Sequence, residues 1–79
     1  MTDVTIELLT IIKELANNSN IQKDTLLLDE GIIDSLSTIE LITTIESKYS
    51  IVIDSDELSH FNFNTIDNIS ILIHSKLAK

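Results

Sequence analysis

Apolar residues near the start recur at Val4, Leu8, Ile11, Ile12 and Leu15, the spacing that lines one face of an α-helix. Thr2 or Asp3 supplies a cap and the polar run Asn17-Asn18-Ser19-Asn20 a stop, so the pattern predicts a first helix over about 3–16. A second helix is expected from about Ser35 to Tyr49. At about 100° per residue it gathers Leu41, Ile42, Ile45 and Tyr49 on a core face. Leu36 falls on the opposite side with Glu40, Thr43 and Ser47, and Ile39 lies on the flank. After the extended connector Ile51-Val52-Ile53, Asp54 or Ser55 can cap a short helix through Asp56-Glu57-Leu58-Ser59. Phe61 and Phe63 then fall in a brief link. Thr65 caps a last helix with Ile66, Ile69, Leu72, Ile73 and Leu77 on one face, and Lys76 and Lys79 suit the negative end of its dipole.

Between the first two helices, residues 17–34 form a connection long enough to need a function or firm anchoring. Ile21, Leu26, Leu28, Ile32 and Ile33 are the expected anchors. Leu26-Leu27-Leu28 resembles a strand locally, yet no second strand exists to pair with it. Gly31, the only glycine, stands just before the second helix, where a turn with unusual backbone angles would need it. With no internal repeat and no Pro- or Gly-rich linker, the expectation is one all-α domain over 1–79, a four-helix bundle of three main helices and one short one.

Seventy-nine residues without cysteine must rest on an aliphatic core, since neither a disulfide nor a thiolate metal site is available. A domain this small has little room for a deep catalytic cleft. No leader pattern opens the chain, and no apolar run approaches the roughly 20 residues that span a bilayer. A cytoplasmic location and no membrane insertion are therefore expected. The 13 acids outnumber the 5 basic residues, and the excess is local. Asp24, Asp29, Glu30, Asp34, Glu40, Glu46, Asp54, Asp56 and Glu57 are opposed only by Lys48, a surplus equal to the whole net charge of −8. Such a surface repels nucleic acid and steers a basic partner, although a solvated, solubilising face is the simpler explanation of charge alone.

Familiar catalytic patterns are missing: no Gly-x-Ser-x-Gly elbow, no Gly-rich phosphate loop, no His-Glu-x-x-His pair. His60 and His74 read as surface or boundary residues. Asp54-Ser55-Asp56 opens like a calcium loop but has Ser59 where Gly is needed and Thr65 where Glu is needed, which excludes that site. Asp29-Glu30 reads as a solvated turn. Neither a catalytic nor a metal site is expected. What remains is Gly31-Ile32-Ile33-Asp34-Ser35-Leu36, where Ser35 falls at a helix start, beside unpaired N–H groups and a positive dipole end. A phosphodiester would be favoured there, but on position alone an ordinary N-cap at Asp34 or Ser35 is by far the better explanation.

Asp34-Ser35-Leu36, followed by Thr38, Ile39, Glu40, Leu41 and Glu46, resembles the modification site and second helix of the acyl carrier protein family, which includes peptidyl and D-alanyl carriers. The likeness runs from about Leu26 to Ile69 and is loosest in the first helix. It implies an acyl-carrier-type bundle that is not an enzyme and is expected to be a monomer. It also implies a 4′-phosphopantetheine arm, donated from coenzyme A by a phosphopantetheinyl transferase to Ser35, whose thiol holds cargo as a thioester. By position, Asp34 and Leu36 flank the arm, and Asp34, Leu36, Glu40 and Glu46 lie on the surface that partners grip. Those partners would be an activating ligase or acyltransferase and a downstream transferase. A lone apolar anchor among acids suits transient docking.

Ser37, Ser47 and Lys48 stand where fatty-acid carriers often have acids, while Ile45-Glu46-Ser47-Lys48-Tyr49 and Phe63-Asn64-Thr65 look more like D-alanyl carriers. Asn64 departs from an acid often found there, and Ile66 from a common Pro. A long acyl chain would thread among Ile39, Ile42, Ile53, Ile66 and Ile69, whereas a short aminoacyl group would stay outside. The alternative of another class is an acidic helical interaction module without a prosthetic group.

Overall fold

The computed structural model describes residues 3–77; Thr2 and Lys79, named above as a cap and a C-terminal charge, lie outside them. Among the described residues there are four α-helices and no strand. They are α1 (Val4–Ala16), α2 (Ser35–Tyr49), α3 (His60–Phe63) and α4 (Ile66–Leu77), with a 3-10 turn at Ser55–Glu57.

Each boundary has a local cause. The Asp3 carboxylate accepts the Thr5 N–H at 2.9 Å and starts α1. At the other end Asn17 is left-handed (φ 51) and donates to Glu14 O, while Asn18 N–H reaches Lys13 O at 3.1 Å. That pair of bonds closes the helix in a Schellman motif. Ser50, also left-handed (φ 55), ends α2. Thr65 Oγ1 accepts the Asn68 N–H at 3.1 Å at the start of α4.

The stretch 54–65 departs from the pattern read in the sequence. The expected helix through Asp56–Ser59 is a single 3-10 turn, because Leu58 (φ −83, ψ 62) leaves helical geometry. The aromatic link is instead the short helix α3, capped by Ser59 Oγ accepting from Asn62 N–H at 3.1 Å and anchored by buried Phe63. Its other aromatic, Phe61, stays exposed.

α1 packs against both α2 and α4, and α3 against α4. Leu8, Ile12, Leu41, Ile45, Ile66, Ile69 and Ile73 are fully enclosed. Each such side chain contributes about 1.5–3 kcal/mol by leaving water. Predicted core positions Ile11, Leu15, Ile42 and Tyr49 are half-buried at the rim, and Leu77 is exposed at the end of α4. Three polar links tie the helices together. Thr5 Oγ1 meets Ser70 Oγ at 3.2 Å, and the Tyr49 hydroxyl donates to Glu7. Burial first, and then the Glu7 carboxylate, push that phenol well above its ordinary pKa. Lys76 Nζ reaches Glu57 at 2.5 Å and Asp54 at 3.7 Å, fastening α4 to the 3-10 turn.

The long connection is anchored largely by the residues the pattern favoured, with Leu27 buried where Leu26 was expected. Ile21, Leu27 and Ile33 are buried, Leu28 and Ile32 half-buried, and Leu26 is exposed. With no helix or strand to set a period there, spacing could not say which of three consecutive leucines faces inward.

Candidate functional site

Ser35 is the first residue of α2 and is exposed. Asp34 is the N-cap, its Oδ1 accepting the Ser37 N–H at 2.8 Å while its carbonyl accepts from Thr38 N–H and Thr38 Oγ1. The bond from the Ser37 backbone, followed by that from its side chain, holds the Asp34 carboxyl below the usual carboxylate range. Asp34 is thus an anion already committed to the helix start, and it leaves the neighbouring hydroxyl free of the capping role.

The predicted partner residues divide. Leu36 is 65% exposed and Ile39 is 60% exposed, with Glu40 also on the surface. Ile39 therefore points away from the interior that a threaded acyl chain would occupy, although Ile53, Ile66 and Ile69 are buried. Glu46 is half-buried, and its Oε2 accepts the Ile53 N–H at 2.9 Å, so this carboxylate also fixes the connector after α2. Thr43 and Thr44 turn their hydroxyls back to the carbonyls of Ile39 and Glu40. The outer face of α2 therefore offers Leu36, Ile39 and Thr43 near Glu40, while Thr44 lines a groove with Ile11 and Leu15 of α1.

The turn leading to Ser35 is built on Gly31, whose φ of +67 is left-handed. Ile32 and Ile33 N–H both point to Leu27 O, at 2.9 and 3.2 Å, folding 27–33 into a closed turn. That turn is held from the α3–α4 junction by Asn64. Asn64 Oδ1 accepts Leu28 N–H at 3.0 Å and Asp29 N–H at 3.2 Å, its carbonyl accepts Leu27 N–H at 2.6 Å, and its Nδ2 donates to Asp29 Oδ2 at 3.1 Å. His60 Nε2 lies 2.7 Å from Asp29 Oδ1. Asp29 is exposed in its turn, as the sequence suggested, but it is also bonded: Asn64 first, and then His60, hold its carboxyl below the ordinary range. The only hint in the sequence was that Asn64 departs from an acid common at that place, and spacing alone does not pair it with Asp29.

No His/Asp/Glu group among the described residues is placed to hold a metal ion. Nor is any helix among them long and apolar enough to cross a membrane.

A family model described as the phosphopantetheine attachment site matches residues 7–73. The chain belongs to this family. It is 35% identical over 68 residues to a D-alanyl carrier protein of Streptococcus suis, covering 85% of this chain and 86% of the relative. A D-alanyl carrier protein of Streptococcus thermophilus matches to the same extent. One of Bacillus velezensis is 29% identical over 65 residues, 80% of this chain and 83% of the relative. The protein is thus a phosphopantetheine carrier, whose working thiol belongs to a covalent 4′-phosphopantetheine group. The residues present fit that group, since an exposed hydroxyl on a rigid helix start can carry an arm, and the positive end of α2 favours its phosphodiester. When bound, the arm supplies a thiol that holds cargo as a thioester.

Proposed function

We propose that Ser35 is the attachment residue and that the cargo is a short aminoacyl group, D-alanine in the first instance. The observation that carries the first part is the exposed Ser35 hydroxyl at the start of α2, inside the matched segment and beside a cap supplied by Asp34. In the modification Ser35 Oγ gives up its proton to a base of the transferase or to water and bonds to the pantetheine-bearing phosphorus of the coenzyme A diphosphate, as the P–O bond to the departing adenosine 3′,5′-bisphosphate breaks. Asp34 holds the helix start still, and Leu36, next along the chain, gives the transferase an apolar grip.

The cargo assignment is supported by the relatives' names and by the outward-facing Ile39, which does not line an interior path for a long acyl chain. The partners are then a phosphopantetheinyl transferase, an adenylating ligase that loads the amino acid, and a transferase that unloads it. The whole chain serves as one carrier domain in the cytoplasm, with Asp34, Leu36, Glu40 and Glu46 on the docking side.

Intact mass after incubation with coenzyme A and a broad-specificity phosphopantetheinyl transferase tests the site. A gain of about 340 Da, the mass of the arm, is expected in the native protein and absent in Ser35→Ala. A gain that survives in Ser35→Ala would reassign the site, and no gain in either would favour an interaction module. For the cargo, an adenylating ligase specific for D-alanine should charge the modified protein. Charging by a fatty acyl ligase alone would overturn that assignment.

A further inference from the structure

The contacts of Asn64 exceed what a helix junction needs. Its side chain and carbonyl together take three consecutive N–H groups, Leu27, Leu28 and Asp29, and its amide donates to the Asp29 carboxylate. The same Leu27 whose N–H is held presents its carbonyl to Ile32 and Ile33, and Ile33 is buried one residue before the Asp34 cap. A path of hydrogen bonds therefore runs from the α3–α4 junction through the 27–33 turn to Ile33, from which the chain passes directly into the Asp34 cap and Ser35. His60 on α3 grips the other oxygen of Asp29. A carboxylate at 64 could accept the two N–H groups but could not donate to Asp29, and would face it as a like charge. The amide is the group that does both.

We infer that Asn64 is a positioning residue for the modification of Ser35, acting with Asp29 as a latch that fixes how the turn delivers this serine to the transferase. The inference rests on the reading of Ser35 as the attachment site. Asn64 touches no reacting atom; it sets the approach of the backbone that carries one. Small misplacements of a reacting group are expensive in rate, so the latch should be felt in the modification kinetics even where the protein remains folded.

The test compares the native protein, Asn64→Asp and the reciprocal double variant Asp29→Asn/Asn64→Asp, at a temperature where circular dichroism shows each folded. In the double variant the carboxylate now at position 64 accepts the two N–H groups and the amide now at position 29 donates to it, so the bonds return with the charge unchanged. Asn64→Asp is expected to lower kcat/KM for coenzyme A-dependent modification by about tenfold, the scale of one lost hydrogen bond. The double variant should return to within about twofold of native, below the scale of one such bond. Should Asn64→Asp not fold, Asp29→Ala, a change at an exposed residue, opens the latch instead and should slow modification while amide exchange at Leu28 rises. Folded variants modified at the native rate, or a double variant as slow as Asn64→Asp, would overturn the latch. Absence of the mass gain from native protein, or its persistence in Ser35→Ala, would instead bring down the reading of Ser35 on which the latch rests.

Discussion

Replacing Gly31 by alanine isolates the backbone demand of the turn that precedes Ser35. An added Cβ would meet nothing within 4 Å, so no steric clash contributes. The whole effect comes from φ +67, a left-handed conformation that raises the energy of an L-residue with a Cβ by about 1–2 kcal/mol. Alanine also stiffens the unfolded chain, which returns about 0.4–1 kcal/mol. The expected net loss is about 1 kcal/mol, or roughly 4–8 °C in Tm for a domain of this size. Gly31→Asn should lose less, because asparagine visits the left-handed region more readily. Ser50 gives the opposite experiment, since it already holds φ 55 with a side chain. Ser50→Gly removes that strain while loosening the unfolded chain, for a net gain of about 0.5 kcal/mol. Urea unfolding followed by circular dichroism reads both, with the midpoint moving and the slope unchanged. A Gly31→Ala loss below about 0.3 kcal/mol, or a Ser50→Gly variant as unstable as Gly31→Ala, would refute the backbone argument.

Ile69→Ala opens a cavity at a fully enclosed position of α4 and should cost about 2–5 kcal/mol, enough to unfold much of a small domain. Ile71→Ala, two residues along but 67% exposed, should stay within about 0.5 kcal/mol of native in the same urea titration. Acid should destabilise the fold through Asp34 and Asp29, whose carboxyl pKa values are both lowered from 3.8 by hydrogen bonds. A depressed folded pKa gives stability that is complete above the unfolded value, near pH 4, and is lost as pH falls through the lower folded one. Asp34→Asn keeps a capping oxygen but no longer titrates, so its urea midpoint should fall less steeply than native between pH 5 and about pH 2; an identical slope would count against the cap as an acid-sensitive contact.

The helices were legible because each has its own period and its own stop. The faces read for α1, α2 and α4 are those that carry the buried Leu8, Ile12, Leu41, Ile45, Ile69 and Ile73, and the caps at Asp3, Asp34 and Thr65 follow from residue type. Ser35 at the head of α2 was legible for the same reason. Long-range hydrogen bonding was not legible, because it has no period. Leu27 is buried between two leucines that are not, and Asn64 meets Asp29 across 35 positions of chain. Helix α3 was missed because Ser59 caps too short a segment to show a pattern.

The acidic surplus between Asp24 and Glu57 is less available to partners than its composition implies. Asp34 is bound to the start of α2, Asp29 to Asn64 and His60, Glu46 to the backbone at Ile53, and Asp54 and Glu57 to Lys76. Five of the nine carboxylates therefore hold the scaffold. On the exposed side of α2 itself, Glu40 has hydrophobic and hydroxyl-bearing neighbours in Leu36, Ile39 and Thr43. An exposed charge steers encounter and is screened by salt within about a Debye length, whereas a buried apolar anchor sets how long the complex lasts. The division of labour proposed for this carrier follows: Glu40 and the outlying acids Asp24, Glu30 and Asp56 orient the approach, and Leu36 with Ile39 supplies the affinity beside the serine proposed to hold the arm.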